Sequence, residues 1–176
     1  DRVVSAYRGG SIVVMNLDQD PNGHAYLSII NDSITATIRL HDRLYQVHSV
    51  GDGGQHTVSE VDESQQPPCD TPDAVHGAAK GLAGAPLPAT SGEIIDMLVV
   101  FTDDARTSYG IDGIISLVNL AIFETNQGYA NSDANIRVNL VLARMVDFDE
   151  TTAPSLATWV GQLRNVDGVI DEVHQW

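Results

Sequence analysis

The chain has 176 residues, enough for one ordinary domain or two small ones. With 43% hydrophobic and 19% charged side chains it can bury a core, which excludes general disorder. Its formal net charge of −15, from 24 acidic against 9 basic residues, repels phosphate backbones and anionic lipid and argues against nucleic acid or a membrane surface as partner.

No apolar run reaches the roughly 20 residues that cross a bilayer. The N-terminus, Asp1-Arg2-Val3, has neither a methionine nor the basic-then-apolar pattern of a signal peptide, as expected of a chain whose leader has been removed or of a recombinant piece. The single cysteine, Cys69, excludes an internal disulfide.

Residues 11 to 61 predict antiparallel β-structure. Ile34-Thr-Ala-Thr-Ile-Arg-Leu40 alternates cleanly, with Ile34, Ala36, Ile38 and Leu40 on one face and Thr35, Thr37 and Arg39 on the other. Ser11–Leu17, Ala25–Ile30, Leu44–Val50 and His56–Val61 predict further short strands. Turn residues separate them at Asp20-Pro-Asn-Gly23, Asn31-Asp-Ser33, His41-Asp-Arg43 and Gly51-Asp-Gly-Gly54. Asp18-Gln-Asp20-Pro-Asn22-Gly23 begins like an EF-hand loop, but the twelfth position is Ile29 instead of the bidentate glutamate, so a polar hairpin turn is the expectation.

Residues 62–93 hold Pro67, Pro68, Pro72, Pro86 and Pro88 among Gly, Ala, Ser and acidic residues, the composition of a linker. Exposed segments of that kind are where proteases cut most readily.

From residue 94 the pattern changes. Ile94-Ile-Asp-Met-Leu-Val-Val-Phe101 predicts a strand covered on both faces. Asp112 predicts the cap of a helix running to about Asn131, with Ile114, Leu117, Val118, Ala121, Ile122 and Thr125 on its buried side. Ile136–Leu142 predicts a second strand, and Ser155 the cap of a helix carrying Leu156, Trp159, Val160 and Leu163. Strand, helix, strand, helix is the start of a parallel α/β sheet, and two strands do not finish one.

Ile95-Asp-Met-Leu-Val-Val-Phe-Thr-Asp-Asp-Ala-Arg106, Glu124-Thr-Asn-Gln-Gly-Tyr-Ala-Asn-Ser132, Arg137-Val-Asn-Leu-Val141 and Asp167-Gly-Val-Ile-Asp-Glu-Val-His174 together resemble the opening of reprolysin-like metzincins, in particular the bacterial peptidyl-Asp metallopeptidases. The first 61 residues resemble the β-rich propeptide ahead of such domains. The resemblance implies an α+β chain in three parts. These are a β propeptide domain over 1–61, a linker over 62–93, and over 94–176 the incomplete β-α-β-α start of a metzincin-type catalytic domain. It further implies a secreted zinc endopeptidase precursor that acts on protein or peptide substrates, and a C-terminal remainder as partner.

The family's zinc motif is H-E-x-x-H-x-x-G-x-x-H, in which histidines hold the metal and the glutamate activates its water. His24, His41, His48, His56, His76 and His174 do not form that spacing, so no catalytic residue is assigned and this stretch alone is expected to be inactive. Cys69, in Pro67-Pro-Cys-Asp70, resembles the cysteine switch of metzincin zymogens, a thiolate that fills the open zinc position; its flanks differ from the matrix-metalloprotease version. The maturation cut is expected around Gly81, Ala85 and Ser91. Asp96 stands where reprolysins place a structural calcium ligand.

Other candidates read more simply. Asn31-Asp-Ser33 fits a glycosylation sequon but reads better as a turn. His174 with Asp171 and Glu172 fits a solvated helix face, Ser108 and Ser155 lack a histidine at readable spacing, and Tyr109-Gly-Ile-Asp-Gly113 is not a phosphate loop. The competing reading is non-enzymatic: an acidic β-domain that inhibits, or helps to fold, a separate protease.

Overall fold

The computed structural model describes residues 2–65, 92–152, 155–165 and 170–175, apart from the side chains of Thr152 and Leu156. Six strands form an antiparallel meander in chain order: β1 (Arg2–Ser5), β2 (Ser11–Asn16), β3 (His24–Ile30), β4 (Ser33–Leu40), β5 (Arg43–Val50) and β6 (Gln55–Val61). Five of these match the sequence expectation to within a residue or so. The sixth, β1, is too short to show alternation and is specified by pairing, with Val3 opposite Val13 and Val4 opposite Ile12.

The turns follow their chemistry. His41 and Asp42 both take left-handed φ, 49° and 61°, as a two-residue hairpin requires. The Asp20 carboxylate accepts from the His41 N–H at 2.7 Å and the Asn22 N–H at 3.0 Å. Those bonds, the one from His41 foremost, hold Asp20 below the usual carboxylate range. Its oxygens thus serve the chain, in line with a hairpin turn rather than a calcium loop.

The second part contains β7 (Glu93–Phe101), α1 (Asp103–Tyr109), α2 (Ile111–Asn131), β8 (Ile136–Met145) and α3 (Leu156–Arg164). Strands β7 and β8 pair in parallel from Glu93↔Ile136 to Phe101↔Met145, and a bulge at Met97/Leu98 leaves Val141 without an opposite residue. Helix α1 is an addition to the sequence expectation. The Thr102 hydroxyl caps it by accepting from the Ala105 N–H at 3.2 Å, and Asp103 and Asp104 occupy its first turn. The chain then turns at Gly110, with φ 72°. A Cβ there would stand 2.6 Å from the Gly51 carbonyl oxygen, so the corner requires glycine on both counts. Helix α2 therefore starts at Ile111 with Gly110 as its cap, and Asp112 lies in the first turn instead of capping it.

Helix α2 lies between the two sheets, packed on β3 and β4 on one side and on β8 on the other. This double coverage corrects the expected buried face. Gly113, Ile114, Ile115, Ser116, Asn119 and Leu120 are buried, whereas Ala121 and Thr125 are exposed. The helix covers the hydroxyl-bearing face of the meander, where Ser28 and its cross-strand partner Thr35 are 0% and 1% exposed. The apolar centre joins all three layers: Ile30, Ile115 and Ala143, with Tyr7, Val99 and Phe101 around them.

Strand β7 departs from the expectation of two covered faces. Ile94 and Ile95 are 64% and 47% exposed, because among the described residues α2 covers β8 and leaves much of β7 bare. On α3, capped as expected by Ser155, Trp159 packs edge-on against Phe148 at 5.8 Å, but Val160 and Leu163 remain exposed. The Leu156 side chain lies outside the described ones.

Two ionisable groups sit in the seam between meander and helices. His48 on β5 packs edge-on to Tyr109 at 6.1 Å, and burial holds its pKa below the ordinary 6.5. Glu124 on α2 lies against Thr37, and burial raises its pKa above the ordinary 4.5. For His48 the unfolded chain takes up protons more readily. Its contribution is thus complete above pH 6.5 and fades as pH falls from 6.5 toward the folded value. Glu124 has the opposite sign, because its burial costs stability as pH rises past 4.5.

Thermal unfolding should therefore show a midpoint that drops between pH 7 and 5.5, and His48→Gln should flatten part of that drop; an unchanged slope would remove His48 from the account. Glycines on α2 give a second check. A Cβ at Gly113 would meet the Ser49 Cβ at 2.9 Å, whereas nothing stands within 4 Å of one at Gly128. Gly113→Ala should cost about 1–3 kcal/mol in urea unfolding despite the better helix former, and Gly128→Ala should gain up to about 1 kcal/mol.

Candidate functional site

Two asparagines on α2 do the same unusual thing at two points along it. The Asn119 carboxamide accepts from the Tyr7 N–H and donates to the Tyr7 carbonyl, both at 3.2 Å. Seven residues on, and so on the same side of the helix, the Asn126 carboxamide accepts from the Val138 N–H at 2.7 Å and donates to the Val138 carbonyl at 2.8 Å. Each side chain thus satisfies one residue's donor and acceptor as a neighbouring strand would. A groove of about 360 Å³ runs between the two clamps, walled by Val4 to Tyr7 on one side and Arg137 to Leu140 on the other.

Further contacts join helix and meander. The Ser116 hydroxyl donates to the Ser28 carbonyl at 2.8 Å, and the Asn31 amide donates to the Asp112 carboxylate at 2.7 Å. Phe123 meets Tyr26 edge-on at 5.3 Å. At the corner the Gly51 N–H donates to the Ser108 carbonyl at 3.0 Å. Gly10 allows the chain after Tyr7 to come so close that a Cβ would stand 2.8 Å from Ile30 and 2.9 Å from Asn119. Sequence reasoning missed this set, although Ser116, Asn119 and Asn126 at spacings of three and seven on an apolar helix are a readable signal.

The strand pair is asymmetric at its edges. The Glu93 N–H donates to the Asn135 carbonyl and the Val146 N–H to the Phe101 carbonyl. In a parallel ladder alternate residues point to the same side, so Ile94, Asp96, Leu98 and Val100 present their backbone groups to the edge away from β8. Among the described residues no strand pairs there. The free edge of β8 is instead stopped at Val138 by Asn126. On the strand surface Asn139 donates to the exposed Asp96 carboxylate at 2.9 Å, across their register pair.

The expected site residues are otherwise dispersed. Cys69, Gly81, Ala85, Ser91 and His76 lie outside the described residues. Among the described residues no three His, Cys, Asp or Glu come together to hold a metal. His56 Nε2 accepts from the Ile34 N–H at 2.9 Å, His24 Nδ1 lies 3.2 Å from the Asn22 carbonyl, and His174 Nε2 lies 3.3 Å from the Asn165 carbonyl. A zinc centre needs three or four converging ligands. The described residues do not fit one, and no hydrolytic step runs through them.

No family model matches the chain, and no solved structure matches it significantly. Curated proteins do. A peptidyl-Asp metalloendopeptidase of Xanthomonas campestris pv. campestris is 35% identical over 168 residues, which is 88% of this chain and 38% of that protein. Two of the same name from Stenotrophomonas maltophilia strains K279a and R551-3 are 33% and 32% identical, each over 99% of this chain and 40% of its own length. The chain therefore spans about two fifths of the length of the curated relatives it matches. The likeness runs through meander, helix and strand pair alike, and on it this chain is a relative of the bacterial peptidyl-Asp metalloendopeptidases.

Proposed function

We propose that this chain is the propeptide and the opening of the catalytic domain of a secreted, zinc-dependent endopeptidase precursor of the metzincin type. The observation that carries the reading is the relatives' name, shared by three proteins alike over 88–99% of this chain. In this reading residues 1–61 are the propeptide domain, 62–93 the linker with the maturation cut near Gly81, Ala85 and Ser91, and 94–176 the start of the catalytic domain. The zinc ligands and the general base come from the remainder of the precursor. Cys69 closes the open zinc position until the linker is cut.

The bare face and open edge of β7 support a partner of that kind. Ile94 and Leu98 on one face and Ile95 and Met97 on the other leave apolar surface in water, which water does not favour. Beside it the backbone groups of Ile94, Asp96, Leu98 and Val100 are placed for strand addition, so the remainder adds next to β7 and not to the edge that Asn126 blocks. Asp96, exposed and oriented by Asn139, is the residue here that would contribute to a structural calcium site with ligands from that remainder.

The whole precursor, purified intact, should carry about one zinc per chain by elemental analysis and show little peptidase activity until its linker is cut. Cys69→Ala should give activity without the cut, while zinc content stays unchanged. A precursor without zinc would overturn the protease reading, and a Cys69→Ala precursor as latent as the parent would overturn the switch alone.

A further inference from the structure

We infer that the six-stranded meander is a subunit held on α2 by its own contacts, so that cutting the chain between Gln65 and Gly92 leaves residues 2–65 bound non-covalently to residues 92–175. The partner is therefore a named segment of this chain, and its docking surface is one side of α2 together with the α1–α2 corner.

The described contacts between the two parts are many and specific. Asn119 grips Tyr7 through two bonds, Ser116 bonds the Ser28 carbonyl, and Asn31 bonds Asp112. Tyr26 meets Phe123, His48 meets Tyr109, and Gly51 bonds Ser108. Between these lies Ile30, buried against Ile115 and Ala143 in one apolar cluster. Bonds of this kind hold equally well when supplied by a separate chain, because none of them is local in sequence. Joining two parts in one chain adds effective concentration, and its loss weakens an interface without dismantling it.

The surface is also suited to leaving. Obligate interfaces are largely apolar, whereas those that open are more polar. Here the helix meets Ser28, Ser33, Thr35 and Ser49, small residues with hydroxyls, all of them buried. A meander stripped from α2 would expose, beside Ile30, hydroxyls that water can satisfy. In consequence a cut is not by itself release: what frees α2 is dilution, acid or a competing chain.

The inference does not depend on zinc or on Cys69, because the cut can be introduced. A site-specific protease sequence placed within residues 66–91 of the full chain, then cleaved, gives two pieces to be followed by gel filtration at micromolar concentration. Co-elution at the volume of the uncut protein, with separation only in denaturant, is the expected result. Elution as two species in native buffer would overturn it. Asn119→Leu should raise the dissociation constant of the cut protein at least tenfold, and Asn126→Leu, whose contacts lie on the β8 side, should leave it within about threefold. If Asn119→Leu fails to fold, Phe123→Ala at the rim takes its place and should weaken the cut complex by about tenfold. Equal effects of Asn126→Leu and the seam variants would sink the assignment of the surface to the stretch of α2 around Asn119.

Discussion

The structure depends on a helix that has sheets on two flanks. A surface helix needs one apolar stripe, but α2 meets the meander on one side and β8 on the other, and it cannot be apolar all round without losing the means to fix either. It resolves this with carboxamides. Tyr7 and Val138 each offer a backbone donor and acceptor at a strand margin, and a buried pair left unmatched costs about 1–3 kcal/mol per group. Asn119 and Asn126 match both pairs, and the spacing of seven residues fixes the meander and β8 in relation to one helix axis.

The same demand explains the small residues in the seam. Gly113 stands against Ser49, and Gly10 against Ile30 and Asn119, at separations that exclude any side chain. Ser116 and Ser28 are fully buried, and the Ser116 hydroxyl is satisfied by the Ser28 carbonyl. Among the described residues the Ser28 hydroxyl has no partner of its own. A seam built on close backbone approach and directional bonds is worth less per unit area than an apolar one but is more exact in register, since a shift of one residue breaks every bond. Larger side chains would separate the layers and pull the two-point contacts out of range.

Legibility from sequence followed locality. The alternation of Ile34–Leu40, the turn chemistry of Asp20–Gly23 and the Ser155 cap depend on neighbours a few residues apart, and all three appear in the structure. Strand β1 and the buried face of α2 did not, because their causes lie far along the chain. The partner of Tyr7 is 112 residues away at Asn119, and that of Ser28 is 88 residues away at Ser116. Periodicity alone assigned α2 a single apolar side and put Ala121 and Thr125 on it, since a pattern of 3.6 does not announce that a second layer covers the polar residues. The relation to metallopeptidases was legible through Ile95–Arg106 and Glu124–Ser132, the stretches that build β7, α1 and the end of α2.

The placement of Asn126 decides more than the position of β8. A parallel pair with two open edges could accept a strand on either, and exposed edges invite wrong pairing. With Val138 already bonded to a side chain, a strand approaching β8 finds a donor and an acceptor near its start taken, and α2 stands beside it. Among the described residues the edge of β7 carries no such stop, and its Ile94 is the most exposed apolar residue of the strand pair. Among the described residues, then, one helix holds the meander, closes one edge of the strand pair and leaves the other without a paired strand.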